Sequence, residues 1–219
     1  MAIVVVGNVF VDIKGFPEDL YIPGGRNSGS VQIVHGGVGR NVAEDIGNVE
    51  LRPVFVSMVD DTAEGAEVLR KLNNHRVNTD YVVTVPDGMG IWLAVFDESG
   101  DVVGSISKRP NMDAMVQLLD EKGDEIFSDA DSIVIEIDLD KEVVKRVLKY
   151  ARKYEKKVYA VVANMSSPRC GATFCRMSTA SCATCRRRAS SSSATFPTSA
   201  PSSCARRSRR TWPTPTSPR

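Results

Sequence analysis

Cysteine is absent from the first 165 residues, and the whole chain has two histidines, His35 and His75. The missing cysteines leave that segment no disulfide framework, and two isolated histidines with no thiol nearby do not make a metal site. Long apolar runs are missing as well: none approaches the roughly 18 residues that a membrane-spanning helix needs. Met1 leads straight into a strand-like run, with neither a basic segment nor a small-residue cleavage site, so a cytoplasmic protein is expected. The segment from Ser166 to Arg219 lacks more: it has no Leu, Ile or Val and no Asp or Glu. Without branched aliphatic residues it has no core to bury and is expected to be disordered.

The formal net charge of +1 hides this division. Residues 1–165 carry 18 Lys and Arg against 27 Asp and Glu, whereas residues 166–219 carry ten Arg and no carboxylate. Ser, Arg, Thr, Ala, Pro and Cys make up nearly all of the second segment. Almost every residue type in it has C or G at the second codon position, Phe174, Met177 and Phe196 being the exceptions. A G/C-rich third codon position read as the second produces this bias, so an out-of-frame translation is expected from about residue 166. Cys182-Ala-Thr-Cys185 has the gap of a zinc knuckle, but Cys170, Cys175 and Cys204 supply no second such gap, and no zinc site is expected. Arg186-Arg187-Arg188 could neutralise phosphate, but stacking aromatics are nearly absent, and nucleic acid is not expected as a partner.

Residues 1–165 read as an α/β domain. Ala2 to Val6 is a continuous β-branched run of the kind buried on both faces of a parallel sheet. Val11 and Ile13 alternate with Asp12 and Lys14, and Gly15, Pro17 and Pro23-Gly24-Gly25 break the chain before a short strand at Val31 to Val34. Val42, Ile46 and Val49 follow helical spacing after a glycine-rich entry. Pro53 to Met58 is a second buried strand, and Asp61 with Glu64 looks like the capping box of a helix carrying Ala66, Leu69 and Leu72. Tyr81 to Val85, Ile91 to Phe96 and Val102 to Ser107, separated by turn-rich links, suggest a small antiparallel sheet. Ser132 to Ile137 is a strand, Asp140 caps a helix with its apolar stripe at Val143, Val144, Val147, Leu148 and Ala151, and Val158 to Val162 is a further strand. The expected fold class is α/β: a mostly parallel sheet flanked by helices, with a separate small antiparallel β lid.

Gly7-Asn8 and Asp12 after the first strand, Gly36-Gly37-Val38-Gly39-Arg40-Asn41 opening a helix, Asp60-Asp61 after a strand, and the interposed lid together resemble the ribokinase-like (PfkB) carbohydrate and nucleoside kinases. The resemblance covers about residues 2–165, with Glu50 and Asp60 standing where glycine is usual. It implies ATP-dependent phosphorylation of a sugar or nucleoside hydroxyl, with ATP and Mg as cofactors. By it, Asp12 and Asn41 would bind substrate hydroxyls, Gly36 and Gly37 would let substrate approach the backbone and hinge the lid, and Gly39 would belong to the same substrate-binding set. Asn8 would face the site or close a turn. Asp138 would approach the substrate or simply precede the Asp140-capped helix. Asn164 would begin the phosphate-side contacts. His35 is expected at the substrate rim or in packing and His75 at a helix end.

The Asp-Thr-x-Gly-Ala-Gly-Asp motif that supplies the family's base and anion hole has no counterpart: the last Asp is Asp140, the last carboxylate Glu155, and Gly171 is the one glycine after Gly123. Residues 1–165 are therefore expected to be the N-terminal part of a kinase domain, with lid strands near 11–34 and 81–107, carrying the substrate half without the ATP half. The alternative is a non-catalytic remnant that at most binds a sugar or nucleoside. A homodimer joined through the apolar lid is also expected. A dinucleotide site at Gly37-Val-Gly39-Arg-Asn41-Val42 is disfavoured, because Val42 replaces the third glycine and the motif does not follow the first strand.

Overall fold

The apolar run that opens the chain becomes the central strand of a parallel sheet. The computed structural model describes residues 2–161. In chain order its elements are β1 (Ile3–Val6), β2 (Phe10–Pro17), β3 (Gly29–Gly36), α1 (Val38–Asn48), β4 (Val54–Val59), α2 (Ala63–Asn74), β5 (Asn78–Thr84), β6 (Gly90–Phe96), β7 (Val102–Lys108), α3 (Asp113–Ser128), β8 (Ser132–Glu136), α4 (Lys141–Lys153) and β9 (Lys157–Val161). The five-stranded sheet has the order β5-β4-β1-β8-β9, and every neighbouring pair in it is parallel. Among the described residues no helix is long and apolar enough to cross a membrane.

The continuous apolar runs exist because each strand feeds two cores. Val4 and Val6 of β1, with Val56 and Met58 of β4, pack with Met115, Leu119 and Phe127 of α3 and Val143 and Val147 of α4. Val5 and Phe55 point the other way, to Ala43 of α1 and to Val68 and Leu72 of α2. Asp140 caps α4 as expected, its Oδ1 accepting from the Glu142 N–H at 2.8 Å. The cap of α2 differs from expectation: Thr62, not Asp61, is the N-cap, and its Oγ1 accepts from the Gly65 N–H at 3.3 Å. Val49 is not part of the apolar face of α1; it follows the helix as its C-cap and is 66% exposed.

Two further expectations are corrected. The segment expected as lid strand Tyr81 to Val85 lies, up to Thr84, in β5, at the edge of the main sheet and parallel to β4. Tyr81 and Val83 pack on one core and Val82 on the other, so this strand is covered on both faces, which a lid strand is not. The Pro86-Asp87-Gly88 turn is then no hairpin but the passage between sheets. It is pinned where the Met89 N–H meets Asp60 Oδ1 at 2.7 Å and the Gly90 N–H meets the Val9 carbonyl at 2.9 Å. Asp60, placed where glycine was expected, thus anchors the lid entry, whereas Glu50 at the other such position takes a left-handed φ of 65°.

The lid is a four-stranded sheet of order β3-β2-β6-β7. Its outer pairs are antiparallel, but β2 and β6 run parallel at its centre, so the lid is mixed and not purely antiparallel. Both central strands leave the main domain in the same direction, β2 after β1 and β6 after β5. The helix α3 has no counterpart in the sequence reading. Its apolar spacing is interrupted at Gly123, where a Cβ would lie 2.2 Å from the Tyr150 ring, so a residue of α4 fills the place of the missing side chain.

Candidate functional site

Ligands of open parallel α/β sheets bind beyond the carboxyl ends of the strands, where the connections diverge. Here β1 ends at Val6 beside β4 and β8, and the lid and α1 both depart from that end. Gly7 and Gly39 meet back to back: a Cβ on Gly39 would lie 2.4 Å from Gly7 Cα, and one on Gly7 would lie 2.5 Å from Gly39 Cα. Only glycine at both positions lets the start of α1 reach the end of β1. The turn is held from β4 by the buried Ser57, whose hydroxyl donates to the Gly7 carbonyl at 2.7 Å.

Gly37 forms the N-cap of α1 with φ 99°, a conformation that favours glycine, and a Cβ there would come 2.4 Å from the Asn8 carbonyl oxygen. Gly36 ends β3, and the place of its missing side chain is taken by Asp12: a Cβ on Gly36 would lie 2.5 Å from Asp12 Oδ2. Asp12 sits in the middle of the lid base, opposite Val34 on β3 and beside Trp92 on β6. Burial pushes its carboxyl above the ordinary value, and Lys14 and Arg40 oppose that push. Trp92 belongs to a row of aromatics on the same face, with Trp92 edge-on to Phe96 and Phe96 stacked on Phe16 at 4.6 Å.

Asn8, Asp12, Gly36, Gly37 and Gly39 are therefore brought together. Asn41 lies in the first turn of α1, exposed, with Oδ1 accepting from Arg40 Nε at 3.2 Å. Asp138 is buried just past β8, and its carbonyl accepts from Arg109 Nη1 at 3.0 Å, tying the exit of the lid to this loop. Asn164 lies outside the described residues. His35 stands on β3 with Nδ1 3.4 Å from Lys71 Nζ, and His75 is the C-cap of α2, with Nδ1 2.6 Å from Asn48 Oδ1.

The sequence reading missed Glu136. It ends β8 almost fully buried, and its Oε2 accepts from both the Asn8 N–H and the Gly39 N–H at 3.1 Å. Burial raises its pKa, the two amides lower it, Asp138 raises it and Arg109 lowers it. A carboxylate inside the apolar run Ile133 to Ile137 was the available signal. As for cofactors, no group of three or more His, Cys, Asp or Glu among the described residues could hold a metal ion. The described residues thus form no all-protein metal cage, whereas Mg²⁺ that arrives on a nucleotide's phosphates needs only one or two carboxylates of the protein; the glycines at α1 are occupied by the chain's own contacts.

A parallel sheet covered by helices, with a β lid and a glycine-opened helix at the carboxyl end of its central strand, defines a ribokinase-like α/β fold. Comparison with known proteins agrees: the pfkB family carbohydrate kinase profile matches residues 2–182, and this chain belongs to that family. The match runs past residue 165 into the Ser- and Arg-rich segment. The chain is 34% identical over 165 residues to the guanosine-inosine kinase of Exiguobacterium acetylicum, covering 75% of this chain and 54% of that one. A putative sugar kinase from Clostridium perfringens superposes with a TM-score of 0.61 at 27% identity, covering 75% of this chain and 51% of that one. Arabidopsis thaliana ribokinase, complexed with ribose and ATP, shares the fold at a TM-score of 0.60 and 21% identity, covering 76% and 55%. The chain spans about half the length of these relatives.

Proposed function

We propose that this chain is the substrate-binding half of an ATP-dependent kinase that phosphorylates a hydroxyl of a nucleoside or sugar. The observation that carries the reading is the Asp12 carboxylate lying over Gly36 beside the glycine entry to α1. An ionised carboxylate accepts hydrogen bonds from hydroxyls, and an asparagine amide both donates and accepts, so Asp12 and Asn41 together suit a polyol that presents donors and acceptors. Gly36, Gly37 and Gly39, whose missing side chains make room for Asp12, Asn8 and Gly7, shape the backbone floor under the ligand, Asn8 and Asp138 complete that floor, and Asn164 would begin the nucleotide side. Bound ATP would supply the phosphoryl group, with Mg²⁺ accompanying it; the chain's own part is to bind and orient the acceptor and exclude water beneath the lid. Residues 1–165 would form this N-terminal part, and residues 166–219 would be out-of-frame. The protein would act in the cytoplasm, and the alternative remains a remnant that binds without turnover. In a protein with the reading frame restored, Asp12→Ala should lower kcat/KM at least tenfold, as loss of a hydrogen bond to a charged group costs about 1.5–3 kcal/mol, and Asn41→Ala, which removes a neutral amide worth about 0.5–1.5 kcal/mol, roughly three- to tenfold. Effects of twofold or less for both would remove these roles.

A second copy of the chain would cover the lid. In register across its strands stand Ile33, Ile13, Leu93 and Ile106, flanked on the same face by Val31 and Val95. Ile33 and Ile106 are 66% and 72% exposed, an apolar stripe that a lone flap has no reason to keep. Two lids packed through this face would leave the opposite face, with Asp12 and Trp92, turned to the ligand. Replacing Ile33 and Ile106 together with Asp should convert a dimer into a monomer in sedimentation experiments; a parent protein already monomeric at micromolar concentration would end the idea.

A further inference from the structure

Helix α1 begins without the usual devices of a helix start. Its N-cap is Gly37, which offers no side chain, and its first turn contains no acidic residue. The first N–H groups of a helix lack partners within it and must find them elsewhere. The Arg40 N–H reaches the Asn8 carbonyl at 3.4 Å, and the Gly39 N–H is met by Glu136 Oε2 from the end of β8. The same oxygen accepts the Asn8 N–H, so one atom of β8 joins the end of β1 to the start of α1.

A carboxylate is costly inside a core unless it is well bonded, and its neighbours in the run, Ile133, Ile135 and Ile137, are all apolar and buried. Two charge-assisted bonds and the positive end of α1 offset that cost. Asp12 cannot take this part, because its carboxylate lies on the lid side over Gly36. An apolar residue at 136 would leave two buried donors unpaired where the glycine loop must keep its shape.

We infer that Glu136 is a positioning residue of the substrate site: its shared oxygen sets the spacing of Asn8 and Gly39, and through them the placement of Gly36, Gly37 and Asn41 against the ligand. This rests on the reading of that site as the one that receives a nucleoside or sugar. The test compares the full chain with Glu136→Gln, which keeps an acceptor oxygen, and Glu136→Leu, which does not. Amide hydrogen exchange followed by NMR should show the Asn8 and Gly39 N–H groups exchanging at least tenfold faster in the Leu variant, and within threefold of the parent in the Gln variant. Equilibrium dialysis with inosine should show affinity falling at least tenfold for Leu and less than threefold for Gln. A Val147→Ala variant, weakened in the core away from the site, should keep the parent's affinity. A Leu variant that protects both amides or binds inosine like the parent overturns the inference, as does a Gln variant no better than Leu. If the parent binds neither inosine nor, in the same dialysis, guanosine or ribose, the substrate reading fails, and the exchange of the two amides still decides the part played by Glu136.

Discussion

Purified full-length chain will phosphorylate neither nucleosides nor sugars above a no-enzyme control. Phosphoryl transfer needs a group to take the acceptor's proton and donors set to hold charge on the moving phosphoryl, and each is worth orders of magnitude in rate, about 10²–10⁴ and 10²–10³. After Glu155 the sequence has no carboxylate, and Gly171 is its one glycine, so neither group has a candidate there. The arginines beyond residue 166 could attract ATP, but a cation cannot accept the proton. Restoring the reading frame should bring activity back. Turnover by the full chain that disappears when residues 166–219 are removed would make that segment functional and sink the out-of-frame reading.

Gly39→Val should lose both ligand binding and much of the stability of the domain. The new Cβ would lie 2.4 Å from Gly7 Cα and 2.9 Å from the Gly7 carbonyl carbon, both backbone atoms of a turn held by Ser57 and Glu136. No rotamer relieves a clash at Cβ, so α1 must back away from β1, at or above the roughly 1–3 kcal/mol typical of overpacking. Gly104→Val provides the contrast, because nothing lies within 4 Å of its Cβ position on the exposed β7. Its effect should stay within about 0.5 kcal/mol. Urea unfolding and inosine binding measured on the two variants check this, and equal effects would show that the Gly7–Gly39 approach does not hold the site.

Much of this arrangement was readable from the residues because its causes are local. The run at Val4 to Val6 is unbroken and that at Val54 to Val59 is interrupted by the buried Ser57 alone, since both faces of those strands are buried, and Asp140 announces α4 because a cap acts within one turn. The misreadings have non-local causes. The apolar stripe of α3 is interrupted at Gly123 because Tyr150 from another helix fills the gap, and no property of α3 itself says so. Tyr81 to Val85 resembles a lid strand until β4 lies beside it. At the site, the residues carried by the glycine motif were legible as a group. Glu136 was not, since its partners Asn8 and Gly39 are 128 and 97 residues away along the chain.

Calorimetric titration of the full chain with guanosine and with ribose, beside the Asp12→Ala variant, tests the central claim most directly. The account predicts saturable binding of at least one of these ligands at one site per chain, lost in the variant. Folded parent protein that gives heats of dilution for both, or a variant that binds as the parent does, would contradict it.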